Sequence, residues 1–115
     1  MDIVDFNKKV SKKELIERLK YYKDKADEGL SLIDNNLLKA QEICRSLKES
    51  LKNEYKEYEK VKINNMIQNN PVYVSYVSAI TDAYIHINRG SKKNVIYGNL
   101  YDIMDYVSYG LYNIN

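Results

Sequence analysis

A single cysteine, a single histidine, a single proline, four glycines and no tryptophan define what this chain does without. One cysteine, Cys44, closes no internal disulfide, so nothing points to an oxidising compartment. One histidine, His86, with scattered carboxylates falls short of the donors a metal site needs. It also stands without a second catalytic partner, and Asp82, Asp102 and Asp105 form no motif around it. No glycine-rich phosphate loop is present. No apolar run approaches the ~20 residues of a membrane span. The first six residues, Met-Asp-Ile-Val-Asp-Phe, lack the basic and apolar regions of a signal peptide. These absences predict a non-enzymatic chain without cofactor, metal or membrane partner. Its expected location is the cytoplasm (a host's, if virus-encoded), or outside the cell by a route without a cleaved signal.

What is present is Lys, Asn, Ile and Tyr, residues of AT-rich codons, as in low-GC bacteria, their phages and some archaeal viruses. The formal net charge of +2 is too small for a global field that attracts nucleic acid. At 115 residues the chain is expected to be one domain, 1–115.

Its longest unbroken apolar period joins Leu30, Ile33, Leu37, Ala40, Cys44, Leu47, Leu51, Tyr55 and Tyr58, spaced by threes and fours on one helical stripe. Lys39, Glu42, Arg45, Glu49, Lys52 and Lys56 occupy the facing positions, so one side needs a partner and the other needs water. Upstream, Ser11-Lys12-Lys13-Glu14 reads as a capping box, with Val10 and Leu15 as its hydrophobic staple. The helix it opens carries Leu15, Leu19, Tyr22 and Ala26 on one face, with Glu14 and Arg18 as an i,i+4 pair. Between Asp27 and Asn36, poor helix formers suggest a turn, with Ser31 or Asn36 capping a new helix. Because the stripe stays in phase there, the alternative is one long coiled-coil helix over about 11–64 that needs a second copy.

Asn70-Pro71 then reads as an N-cap followed by proline at the first helical position. Gly90 reads as the helix end, and Val72, Tyr76, Ala79, Ile80, Ala83 and Ile87 form one face. The competing reading is α+β, with Tyr84–Ile87 paired to Val95–Tyr97 in a C-terminal β-hairpin. A last helix is expected by Asn99, on the stripe Leu100, Ile103, Val107 and Leu111. The reading is therefore all-α: a long helical hairpin followed by two shorter helices, bundle-like. It divides into a charged region, 11–64, and a Tyr-rich region, 70–113.

Through Lys62 the chain holds fifteen of its eighteen Lys and Arg, and from Ile63 onward eight of its twelve Tyr. Eight are too many for one small core, and Tyr suits interfaces because it offers rigid area with a polar tip. Tyr106, Tyr109 and Tyr112, with Tyr73 or Tyr84 beside them, are the expected partner-binding set. The stripe on the second helix is longer than the first helix, which predicts a homodimer with contacts at Leu37, Cys44, Leu47 and Leu51. The basic stretch Lys8–Lys25 supports an alternative nucleic-acid face at Lys9, Lys12, Lys13 and Lys20. Two small helical families are excluded by motif. HEPN ribonucleases need Arg four to six residues before His, whereas Arg89 follows His86; export substrates with a Trp-x-Gly turn need a tryptophan. The expected function is a protein-binding module acting by stoichiometric occupancy, as inhibitor or adaptor, by analogy with small anti-defence proteins of phages and mobile elements. The other alternative is a structural coiled-coil subunit.

Overall fold

The computed structural model describes residues 11–61 and 70–114. Four helices stand among them: α1 Lys12–Leu32, α2 Leu37–Val61, α3 Pro71–Ile85 and α4 Lys93–Ile114.

Local chemistry sets most of the boundaries. Ser11 Oγ accepts the amide of Glu14 at 3.1 Å and starts α1; Val10, the other half of the expected staple, lies outside the described residues. At the end of α1 the amides of Asn35 and Asn36 both donate to the Leu32 carbonyl, at 3.1 and 2.7 Å. Asn36 then caps α2, its Oδ1 accepting Lys39 N at 3.2 Å. Ser31 is not a cap, since its hydroxyl donates to the Glu28 carbonyl within α1. Asn70 Oδ1 accepts from Val72 N and Tyr73 N, and Pro71 occupies the first turn of α3.

The turn at 33–36 resolves the first ambiguity: α1 and α2 form a hairpin, not one continuous coiled-coil helix. The second resolves as well. Residues 71–85 and 93–114 are helical, and among the described residues there is no strand, so the C-terminal β-hairpin does not form. Val72, Tyr73, Val74 and Tyr76 favour strands as free residues. Here the cap at Asn70 and the burial of Tyr73, Tyr76, Ala79, Ile80 and Ala83 at helical spacing override that preference. Two boundaries differ from expectation. Helix α3 stops at Ile85, leaving Gly90 in the following loop with φ +123°. Helix α4 starts at Lys93, six residues before Asn99, which makes it as long as α1.

That added length rearranges the packing. Helix α4 lies along both α1 and α3, its most extensive neighbours, and α2 also packs on α1, α3 and α4. The stripe of α2 is thereby covered within one chain: Ala40, Cys44, Leu47 and Leu51 are buried, and Leu37 is half-buried against the same core. At about 1.5–3 kcal/mol for each large apolar side chain, this burial is a main source of stability. The homodimer contact expected at Leu37, Cys44, Leu47 and Leu51 thus loses its premise, because the face thought to need a second copy is occupied by α1, α3 and α4.

Two glycines leave no room for a side chain. A Cβ on Gly110 would lie 2.5 Å from Ala79 Cβ, and one on Gly29 would lie 2.8 Å from Leu100 Cδ1. Each is a glycine because side chains of neighbouring helices fill the space a Cβ would take: Leu100 and Ile43 at Gly29, Ala79 and Leu19 at Gly110.

Candidate protein-binding face

Burial along α4 divides the helix into two sides. Ile96, Asn99, Leu100, Ile103, Val107, Gly110, Leu111 and Ile114 face the core. On the opposite side Tyr97 is 50% exposed, Tyr101 47%, Tyr109 67% and Tyr112 81%. Tyr97 and Tyr101, one turn apart, stack with ring centroids 6.1 Å apart. Tyr97 to Tyr112 spans fifteen residues, so the stripe is about 22 Å long at 1.5 Å per residue. Asp105 is exposed within it and Asp102 half-exposed beside it. From Asn94 to the last residue there is no Lys or Arg.

This is a different tyrosine set from the expected one. Tyr109 and Tyr112 lie on the open face as anticipated. Tyr106, at the same three-residue spacing, is half-buried on the flank toward α3, where its ring stacks on His86 at 4.7 Å. Partial burial, and after it the carboxylates of Asp102, Asp82 and Asp105, raise its phenol above the ordinary tyrosine range. Tyr73 is 2% exposed and belongs to the core, so it cannot meet a partner. Tyr84 is half-buried and stacked on Tyr55 of α2 at 4.8 Å. Tyr97 was missed because its place in a helix depends on α4 starting at Lys93; Tyr101 already lay off the expected Leu100, Ile103 and Val107 stripe. Their four-residue spacing, continued to Asp105 and Tyr109, was the available signal.

The remaining chemistry-bearing residues have structural surroundings. Arg18 and Tyr22, one turn apart on α1, meet Glu54 of α2 and Tyr76 of α3. Arg18 donates to Glu54 Oε1 through Nε and Nη2, at 3.3 and 3.2 Å. Tyr22 donates to Glu54 Oε2, and Tyr76 to Oε1. Arg18 Nε also reaches Tyr76 Oη at 3.2 Å. Glu54 is 2% exposed, so the carboxylate is closed to any substrate. Burial, then the Glu54 charge, pushes both phenols well above their ordinary pKa. The result is a polar tie among three helices, not an acid–base pair for catalysis. His86 is held as well: its Nδ1 lies 2.7 Å from the Asp82 carbonyl. Cys44 is buried, which raises its thiol pKa, partly opposed by Lys48; that is the behaviour of a core residue, not a reactive thiolate.

On α1, Lys12, Lys13 and Lys20 are exposed, with Glu17, Asp24 and Asp27 exposed among them, and Lys25 pairs with Glu28 at 3.2 Å. Lys9 lies outside the described residues. Among those described, the α1 face is therefore mixed in charge and gives a phosphate backbone no continuous basic track. No group of His, Cys, Asp and Glu that could hold a metal ion occurs among the described residues, and no described helix is long and apolar enough to cross a membrane. No family model, curated protein or solved structure matches this chain.

Proposed function

We propose that this protein is a binding module that acts by stoichiometric occupancy, as an inhibitor or adaptor, through the outer face of α4. The observation that carries this reading is the run of exposed tyrosines, Tyr97, Tyr101, Tyr109 and Tyr112, on the side of α4 away from the core. Tyrosine costs little entropy to immobilise and brings area plus a hydroxyl, which is why binding energy concentrates on it. Charge narrows the occupant. The face carries Asp102 and Asp105 and no cation beyond Lys93, so it repels phosphate and favours a protein surface bearing Arg or Lys. A guanidinium stacks on a tyrosine ring and pairs with a neighbouring carboxylate at the same time. Base stacking, the other common use of exposed tyrosine, calls for free cations beside the rings; on α4 the one cation near them, Lys93 one turn before Tyr97, is paired with Asp34. A cytoplasmic setting is part of this reading, and the single buried Cys44 does not call for an oxidising compartment.

The test is a paired comparison. Wild type and a Tyr109→Ser, Tyr112→Ser variant are used as bait in cells that naturally contain the protein, and the melting temperature of each is measured. Retention of a stoichiometric partner by wild type, its loss in the variant and equal melting temperatures support the reading. Equal capture by both baits would sink it.

A further inference from the structure

The loop joining α3 to α4 is held at two points. Buried Asn99 of α4 clamps Asn88: its Oδ1 accepts the Asn88 amide at 2.8 Å and its Nδ2 donates to the Asn88 carbonyl at 2.9 Å. Further on, the Ser91 carbonyl accepts Gln41 Nε2 of α2 at 2.8 Å. Arg89 lies between these pins, followed by Gly90 at φ +123°. Its backbone position is therefore set on both sides, although its side chain is exposed.

Arg89 lines a pocket of about 580 Å³ together with Lys48, Glu49 and Lys52 of α2 and Tyr84 and Ile85 of α3. That volume is within the roughly 300–1,000 Å³ of small-ligand sites. Lys48 and Lys52 are one helical turn apart and share a side of α2. Among the described residues, none of the three cations is in an ion pair. They outnumber the single carboxylate, Glu49. One wall is apolar: Ile85 is 58% exposed, and Tyr84 is backed by the stacked ring of Tyr55. The C-terminal end of α3 nearby would ordinarily repel an anion. Two of its carbonyls are already engaged, Asp82 with His86 Nδ1 and Tyr84 with Ile87 N at 3.2 Å.

We propose that this pocket binds a nucleoside di- or triphosphate, its phosphates among Lys48, Lys52 and Arg89 and its base on the Tyr84–Ile85 wall. The guanidinium of Arg89 can take phosphate oxygens two at a time, and the two ammonium groups supply compact charge. Glu49 offers an acceptor to a sugar hydroxyl and keeps the lining from being uniformly basic. A polynucleotide fits less well, because the exposed side of α2 alternates Lys39, Glu42, Arg45 and Glu49 and offers its backbone no continuous track. The site is separate from the tyrosine face of α4, and either can fail without the other.

The experiment follows melting temperature and titration calorimetry of the full chain at low salt with four probes: ADP, pyrophosphate, adenosine and a short oligothymidylate. Millimolar ADP is expected to raise the melting temperature by on the order of 5 °C. Pyrophosphate should raise it less, and adenosine should leave it unchanged. The ADP shift should vanish in Arg89→Gln and in Lys52→Gln, whose unliganded melting temperatures stay near wild type because Arg89 is exposed, Lys52 is only half-buried, and neither is in an ion pair among the described residues. Absence of an ADP shift in wild type, or an equal shift in both variants, would overturn the proposal. A pyrophosphate shift equal to that of ADP would remove the base from it. Tighter binding of oligothymidylate than of ADP would replace it with a nucleic-acid groove.

Discussion

The Glu54 carboxylate lies 3.2 Å from the guanidinium of Arg18, and both side chains are almost wholly removed from water. Tyr22 and Tyr76 use the same carboxylate as acceptor, so α1, α2 and α3 are joined through one buried charge. Removing one member strands the others. Glu54→Ala should lower the unfolding free energy by about 3–5 kcal/mol, as for other broken buried pairs. Replacing the whole set together (Arg18→Met, Glu54→Leu, Tyr22→Phe, Tyr76→Phe) should recover much of that loss, because no charge is then left unpaired. Urea unfolding of both variants measures this. A Glu54→Ala loss within about 0.5 kcal/mol would show that the network adds little.

The same cluster predicts an alkaline limit. Tyr22 and Tyr76 hold their protons in the fold to higher pH than in the unfolded chain, where a tyrosine titrates near 10. Above that pH the unfolded state binds fewer protons than the folded state, so stability falls as pH rises; below it this contribution is fully present. Urea midpoints measured from neutral pH to well above 10 should therefore decline from about pH 10. The decline should be shallower in Tyr22→Phe, Tyr76→Phe than in wild type. Parallel curves would exclude the two phenols as its source.

Two glycines of α4 should respond in opposite directions to the same change. Gly98 has nothing within 4 Å of a would-be Cβ, so Gly98→Ala should stabilise by about 0.5–1 kcal/mol through helix propensity. At Gly110 the added methyl meets Ala79 Cβ at 2.5 Å, and the change should cost about 1–3 kcal/mol by overpacking. Thermal unfolding of the pair decides, and a gain at Gly110 would mean that α3 and α4 separate easily.

Among the tyrosines, burial and binding should part company. Tyr73→Ala removes a core ring and should cost about 3–5 kcal/mol of stability. Tyr109→Ala, on the open side of α4, should change stability by no more than about 0.5 kcal/mol while weakening partner binding by about 1–3 kcal/mol. Melting temperature and affinity measured on the same variants separate the roles; a large stability loss at Tyr109 would make it a packing residue.

What the sequence determined by itself is local in origin. Ser11, Asn36 and Asn70 each had a side-chain oxygen placed to take amides two or three residues ahead, and such contacts need no other part of the chain. The 3,4 spacing of apolar residues likewise named the core side of every helix: Leu15 and Leu19, Cys44 and Leu47, Ala79 and Ile80, Ile103 and Val107 are all buried.

What only the tertiary structure decided depends on contacts between residues far apart in the chain. Arg18 had Glu14 available four residues away, yet its guanidinium reaches Glu54, 36 residues on, because burial makes that shared carboxylate worth more than a solvated pair. Asn99 read as a helix start but lies inside α4, its amide spent on the Asn88 backbone. That Tyr97 joins the outward face, and whether the α2 stripe needs a second copy, followed from the length of α4. That length is fixed by what α4 packs against, since α1 and α3 together present enough apolar surface to hold the helix from Lys93 to Ile114.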